Sequence, residues 1–204
     1  MKSARLSYLA HIVTFAMLFQ SAAFAVQPSR AGKNGKEDCL LELGQAAPVL
    51  DIKSGGEISV KDNRVTEIPW SSRSFESNGK VQLVQYVSAN LGAVRQNKPF
   101  NDALKKRRYS SEQLETTIIV HMADTMSLVK GLVVDKMAKN KVKHETIHFV
   151  IDKNAVGLQR WGMKNKSYAV IILDANGKVL FAKDGPLSAR EVESTIQLIE
   201  QQII

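Results

Sequence analysis

Three groups of side chains in this 204-residue chain have types and spacings that could do chemistry: His144-Glu145-Thr146-Ile147-His148, the single cysteine Cys39, and the basic run Lys105-Lys106-Arg107-Arg108. The first matches H-E-x-x-H, in which two histidines one helical turn apart hold zinc while the glutamate activates water. That chemistry needs a helix. Here the segment runs into Phe149-Val150-Ile151 and an Asp152-Lys153-Asn154 turn, which reads as a strand. Strand residues four apart are separated by about 13 Å at ~3.3 Å per residue, a gap that metal bonds of ~2.1 Å do not bridge. His121 lies upstream and adds no third ligand at metalloprotease spacing. No metal or other cofactor is expected, and an enzyme with metal assistance through His121, His144 or His148 is the alternative reading.

Cys39 excludes an internal disulfide framework and any multi-cysteine zinc site. It follows Glu37-Asp38, and neighbouring acids raise a thiol pKa, so an incidental thiol is expected. The basic run reads as a solvated helix end where cations complement the dipole. The aromatic interleaving of a nucleic-acid platform is missing, so no nucleic-acid partner is expected.

These groups must be positioned by ordinary globular structure, since 44% of the chain is hydrophobic, far from the composition of disorder. Lys2 and Arg5, an apolar stretch from Leu6 to Phe19, and Ala23-Phe24-Ala25 lay out a secretory signal peptide over residues 1–25. Losing Lys2 and Arg5 with it takes the formal charge from +8 to +6. Residues 26–40 read as a flexible polar leader and residues 41–204 as one folded domain. No later apolar run is long enough to span a bilayer.

Strand and helix signals alternate from Leu41 onward. Ile58 to Ile68 reads as two strands around a turn at Lys61-Asp62-Asn63-Arg64, and Lys80 to Val87 as a strand after an Asn78-Gly79 turn. A helix is expected from an Asn97 cap, with Pro99 in its first turn and Phe100, Ala103, Leu104 and Arg107 on one face. Thr116 to His121 is a strand. A second helix capped by Asp124 or Ser127 carries Val129, Leu132, Val133 and Met137 on one face and fades into Lys139 to Lys143. Ile147 to Ile151 is a strand, and Tyr168 to Leu173 with Val179 to Ala182 is a hairpin around Asp174-Ala175-Asn176-Gly177. Ser188 and Glu191 form a capping box for a last helix with Val192, Ile196 and Ile199 on one stripe.

In order, Gly44-Gln45-Ala46-Ala47-Pro48-Val49-Leu50-Asp51-Ile52, the strand from Lys80, Phe149 to Asp152 with Arg160-Trp161-Gly162-Met163, and Tyr168 to Val179 resemble the thioredoxin superfamily. The likeness is to its periplasmic TlpA-like and peroxiredoxin-like branch. Phe149 to Trp161, Val170 to Val179 and Ala182 to Leu187 further resemble the YtfJ family of small secreted Gram-negative proteins. The resemblance implies an α/β thioredoxin-like sandwich, with a central mixed sheet flanked by helices and an N-terminal strand extension, in the periplasm. Redox chemistry on that fold needs a C-x-x-C pair whose first thiolate attacks and whose second resolves. Those positions fall at or within a residue of Leu91 and Val94, and the place of the family's proline before the Tyr168 strand is taken by Lys166-Ser167. The expected function is a periplasmic binding or chaperone-like module for an envelope protein or peptide, without thiol-disulfide activity. Its surface would be Ser88, Asn90, Leu91, Val94, Arg95, Trp161 and Ser167, with Lys105 to Arg108 nearby; core packing is the favoured role for Trp161.

Overall fold

Val81–Ser88 is a run of eight residues buried on both faces, as expected of a central strand, and the sheet is built around it. The computed structural model describes residues 40–203 apart from 77, 78 and 124. With this strand as β3, the others are β1 (Asp51–Lys61), β2 (Arg64–Ser71), β4 (Leu114–His121), β5 (Ile147–Asp152), β6 (Tyr168–Leu173) and β7 (Val179–Asp184). They form a seven-stranded mixed sheet in the order β2-β1-β5-β4-β3-β6-β7. β3, β4 and β5 pair in parallel, and parallel neighbours need long crossovers. The first carries α1 (Leu91–Gln96) and α2 (Lys98–Arg107), the second α3 (Ser127–Lys143); α4 (Val156–Arg160) follows β5, and α5 (Ala189–Gln202) comes last. The N-terminal strand extension is the β1–β2 hairpin, added antiparallel to β5.

Alternation along β3 divides the core. Leu83 and Val87 pack with Val170 and Ile172 against Phe100 of α2 and Ile196 and Ile199 of α5. Val84 and Tyr86 point the other way, into a cluster with Ile119, Val150, Ile171 and Trp161. Met137 and Ala138 of α3 cover Ile58, Phe149 and Ile151. β1 fits between β5 and β2 because its register slips between Ile52 and Glu57, where Gly55 and Gly56 both adopt φ +98°. A Cβ on Gly55 would lie 2.2 Å from the Ile151 carbonyl oxygen and one on Gly56 2.0 Å from that of Ile68, so this bulge accepts only glycine.

Several local expectations change. Asn97 does precede α2, but its side chain makes no cap bond there, and α1 ends directly before it. The residue capping α3 is Met126; Ser127 is already helical and Asp124 lies outside the described residues. Leu132 is 66% exposed and not on the packed stripe, which runs through Val133, Val134, Met137 and Ala138. The helix continues through the lysines to Lys143, where the Lys141 Nζ donates to the Glu145 and Ile147 carbonyls at 2.7 and 3.0 Å. β1 starts at Asp51, seven residues before the β-branched alternation at Ile58. The Ser188 box, with Glu191, forms as expected. Residues 1–25, Cys39 and all of the leader but Leu40 lie outside the described residues.

Candidate functional site

The carboxyl ends of β3, β4 and β5 open on one end of the sheet, the place where α/β folds bind ligands. The chain leaves them in step: Ala89 N donates to the His121 carbonyl at 3.0 Å, and Met122 N to that of Asp152 at 3.1 Å. Asn90 then turns the chain into α1. Its Oδ1 accepts from Ala93 N at 2.8 Å and its Nδ2 donates to Ser88 Oγ at 2.8 Å. On the six-residue α1, Ala93 is buried while Leu91 and Val94 are 73% and 50% exposed. Two apolar side chains therefore face water on the first turn, where burial elsewhere would have stabilised the fold.

The segment before β6 closes over this end. Ser88 N donates to the Ser167 carbonyl at 3.0 Å, and Gln96 Nε2 to the Lys166 carbonyl at 3.3 Å. Lys166 takes φ +60° to make that approach. Ser88, Asn90, Leu91, Val94, Arg95 and Ser167 thus come together, with Ser88 and Ser167 buried and Arg95 exposed. Trp161 does not join the surface. It is 1% exposed, and its Nε1 donates to the Pro48 carbonyl at 2.7 Å, which places it in the core. Lys105 to Arg108 is also displaced from the site. α2 carries the chain back toward the start of β4, which pairs with the start of β3 at the opposite end of the sheet. Arg107 pairs there with Glu200 at 2.7 Å, and Arg108 ends the helix in a left-handed conformation.

Behind the face stands a buried polar frame. The Tyr86 hydroxyl donates to Asp152 Oδ2 at 3.0 Å, while Val156 N and Gly157 N donate to the same carboxyl at 3.0 and 2.9 Å. Burial first, then the Asp152 carboxylate, pushes the Tyr86 hydroxyl pKa far up. His121 stacks on the Tyr86 ring at 5.2 Å, and Trp161 meets it edge-on at 5.9 Å. Gly157 allows this closeness, because a Cβ there would stand 2.4 Å from the ring. Asn97 forms a second bracket that the sequence pattern concealed. Its Nδ2 donates to the carbonyls of Tyr168 and Gly185 at 3.0 and 3.1 Å, and its Oδ1 accepts from Leu187 N at 2.8 Å.

The three histidines are not brought together. His121 is buried on β4, His144 caps the exposed end of α3, and His148 lies on β5. Residues 144–148 are thus split between a helix end and a strand, which removes the one-face geometry of H-E-x-x-H. His148 instead sits between carboxylates, with Glu57 Oε1 at 2.7 Å from Nδ1 and Glu115 Oε1 at 3.1 Å from Nε2. They line a cleft of about 210 Å³ with Trp70 and Ser74. The hydrogen bond to Glu57 raises the His148 pKa, and the same bond lowers that of Glu57, with Lys141 at 3.9 Å assisting. An imidazolium donates from both nitrogens, so the charged ring satisfies both acids.

The sign of the linkage follows from those two directions. His148 contributes stability that is complete below its ordinary value of 6.5 and lost as pH rises through its raised folded value. Glu57 contributes stability present above its ordinary 4.5 and lost as pH falls through its lowered folded value. His148→Gln is therefore expected to lower the melting temperature most between about pH 5 and pH 6.5, with the gap to the unsubstituted protein narrowing at higher pH. Melting curves from pH 4 to 10 measure this. A gap that widens above pH 8 would contradict the bridging imidazolium.

The profile of a family described as "Bacterial protein of unknown function (YtfJ_HI0045)" matches residues 41–202. The uncharacterized protein YtfJ of Escherichia coli K12 is 29% identical over 160 residues, covering 78% of this chain and 86% of that protein. An uncharacterized protein of Haemophilus influenzae is 32% identical over 161 residues, with 78% and 85% coverage. Among solved structures, a protein described as a thiol:disulfide interchange protein DsbE from Chlorobium tepidum superposes with TM-score 0.53 at 19% identity, over 80% of this chain and 99% of that one. A thiol-disulfide isomerase from Corynebacterium glutamicum gives 0.51 at 13%, over 77% and 96%. These likenesses establish the thioredoxin-like fold.

Proposed function

The chain belongs to the YtfJ_HI0045 family and has a thioredoxin-like fold, and on that premise we propose that it is a periplasmic binding module without thiol-disulfide activity. The observation that carries this reading is the pair of exposed apolar residues, Leu91 and Val94, on the first turn of α1 at the end of the central strand. The fold's chemistry needs a thiolate to attack and a second thiol to resolve, and hydrocarbon at those positions does neither. Exposed hydrocarbon does supply contact area, at about 25 cal/mol per Å² covered. The periplasmic location rests on the signal-like segment over residues 1–25. Among the described residues no helix is long and apolar enough to cross a membrane.

Two assays on the purified protein test the reading. In insulin reduction by dithiothreitol, the expected rate is that of buffer alone, and any acceleration would overturn the non-redox assignment. A permanently unfolded, carboxymethylated protein is expected to bind, and Leu91→Asp with Val94→Asp to weaken that binding by about tenfold or more, the scale of burying a charge in an apolar contact. Both positions are exposed, so circular dichroism should show the variant folded. Unchanged binding by the folded variant would rule out this face.

A further inference from the structure

Basic side chains stand beside the apolar centre of this face. Arg95 lies one residue beyond Val94, and Lys164 and Lys166 lie on the segment that Gln96 ties to α1. All three are exposed, and none of their side chains forms an ion pair among the described residues. One carboxylate, Asp184, meets this segment through the backbone only, and its Oδ1 has no hydrogen-bond partner among the described residues. Asp184 Oδ2 accepts from the backbone N–H of Lys164 at 2.6 Å, and Asp102 is paired with Lys98 at 2.5 Å. Met126, 73% exposed, precedes α3 on the connection that leaves the same end of the sheet from β4. Three exposed cations outside any ion pair among the described residues and three exposed apolar side chains thus lie on the connections at this end of the sheet.

Resting on the binding reading above, we infer that this face takes a peptide segment in which an apolar anchor is flanked by carboxylates. Like charges brought against these cations repel, so complementary potential selects among apolar segments that Leu91 and Val94 alone would accept equally. A peptide fits better than an anionic bilayer. Insertion gains about 0.8 kcal/mol per buried CH₂ and needs a continuous apolar face, whereas these apolar side chains stand on two separate connections. A peptide strand, with side chains spaced along it, can meet them one at a time.

Fluorescence anisotropy of the full protein with three twelve-residue peptides decides the matter. Each carries the same Leu-Phe anchor, flanked by four Asp and Glu, by four Lys, or by four Ser. The acidic peptide is expected to bind about tenfold or more tighter than the lysine peptide, with the advantage shrinking in 0.5 M salt. The triple variant R95E/K164E/K166E is expected to reverse the order. Equal affinity for all three peptides, still lost in Leu91→Asp with Val94→Asp, would overturn the charge selection and leave the binding reading standing. No binding of any peptide would overturn both. Uptake by phosphatidylglycerol vesicles that depends on the three cations, without peptide binding, would overturn the inference in favour of a lipid surface.

Discussion

Asn97→Ala is expected to lower the free energy of unfolding by about 3–5 kcal/mol, a large share of what a domain of this size has to lose. The side chain is 1% exposed and joins three backbone segments: the start of β6, Gly185 after β7, and Leu187 before α5. Alanine would leave the Gly185 carbonyl and the Leu187 N–H without this partner, at ~1–3 kcal/mol for each buried group that water does not reach, while the Tyr168 carbonyl keeps the Gly185 N–H at 3.2 Å. Asn97→Asp keeps the acceptor for Leu187 N and loses the two donated bonds, so it should be destabilised as well. Urea unfolding followed by circular dichroism measures both. A loss under about 1 kcal/mol for the alanine variant would show that water replaces the bracket and that the ends of β6 and β7 are held by other contacts.

Trp161→Ala is expected to cost about 3–5 kcal/mol, from lost transfer energy and the cavity left behind. The indole packs edge-on against Tyr86, lies in the cluster of Val84, Ile119, Val150 and Ile171, and donates to the Pro48 carbonyl. Trp161→Phe keeps most of the volume and gives up the donor, so it should fall between the two proteins. The same pair of variants separates core from surface. Trp161→Phe, folded at 20 °C, should bind the carboxymethylated protein as the unsubstituted chain does. A stable Trp161→Ala with impaired binding would instead place the indole in the ligand's path.

What could be read along the chain was whatever depends on neighbours in sequence. The capping box at Ser188, the Asp174 to Gly177 turn and the strand character of residues 147–151 follow from local alternation and turn chemistry. The last of these is by itself incompatible with the one-face helical geometry of the zinc motif. Asn97 misled because its type fits a helix start, while its partners lie 71 to 90 residues away. The clamp on His148 was hidden for the same reason, with Glu57 91 residues distant. Short α4 has no periodicity to detect; its only signal is Asp152, whose carboxyl accepts from the N–H groups of Val156 and Gly157. α1 could have been found from Asn90, a good cap standing immediately before Leu91. Leu132 shows the opposite failure, an apolar residue at helical spacing that the fold leaves in water.

On the proposed reading, Leu91 and Val94 stand where thiol-disulfide chemistry on this fold would need two thiols, and such a pair exists in more than one covalent form. In this chain that position has a single form. A surface that does not cycle needs no electron donor to reset it and no companion enzyme to keep it ready. Its affinity should be the same in glutathione buffers poised anywhere from reducing to oxidising, and it should survive alkylating agents unchanged.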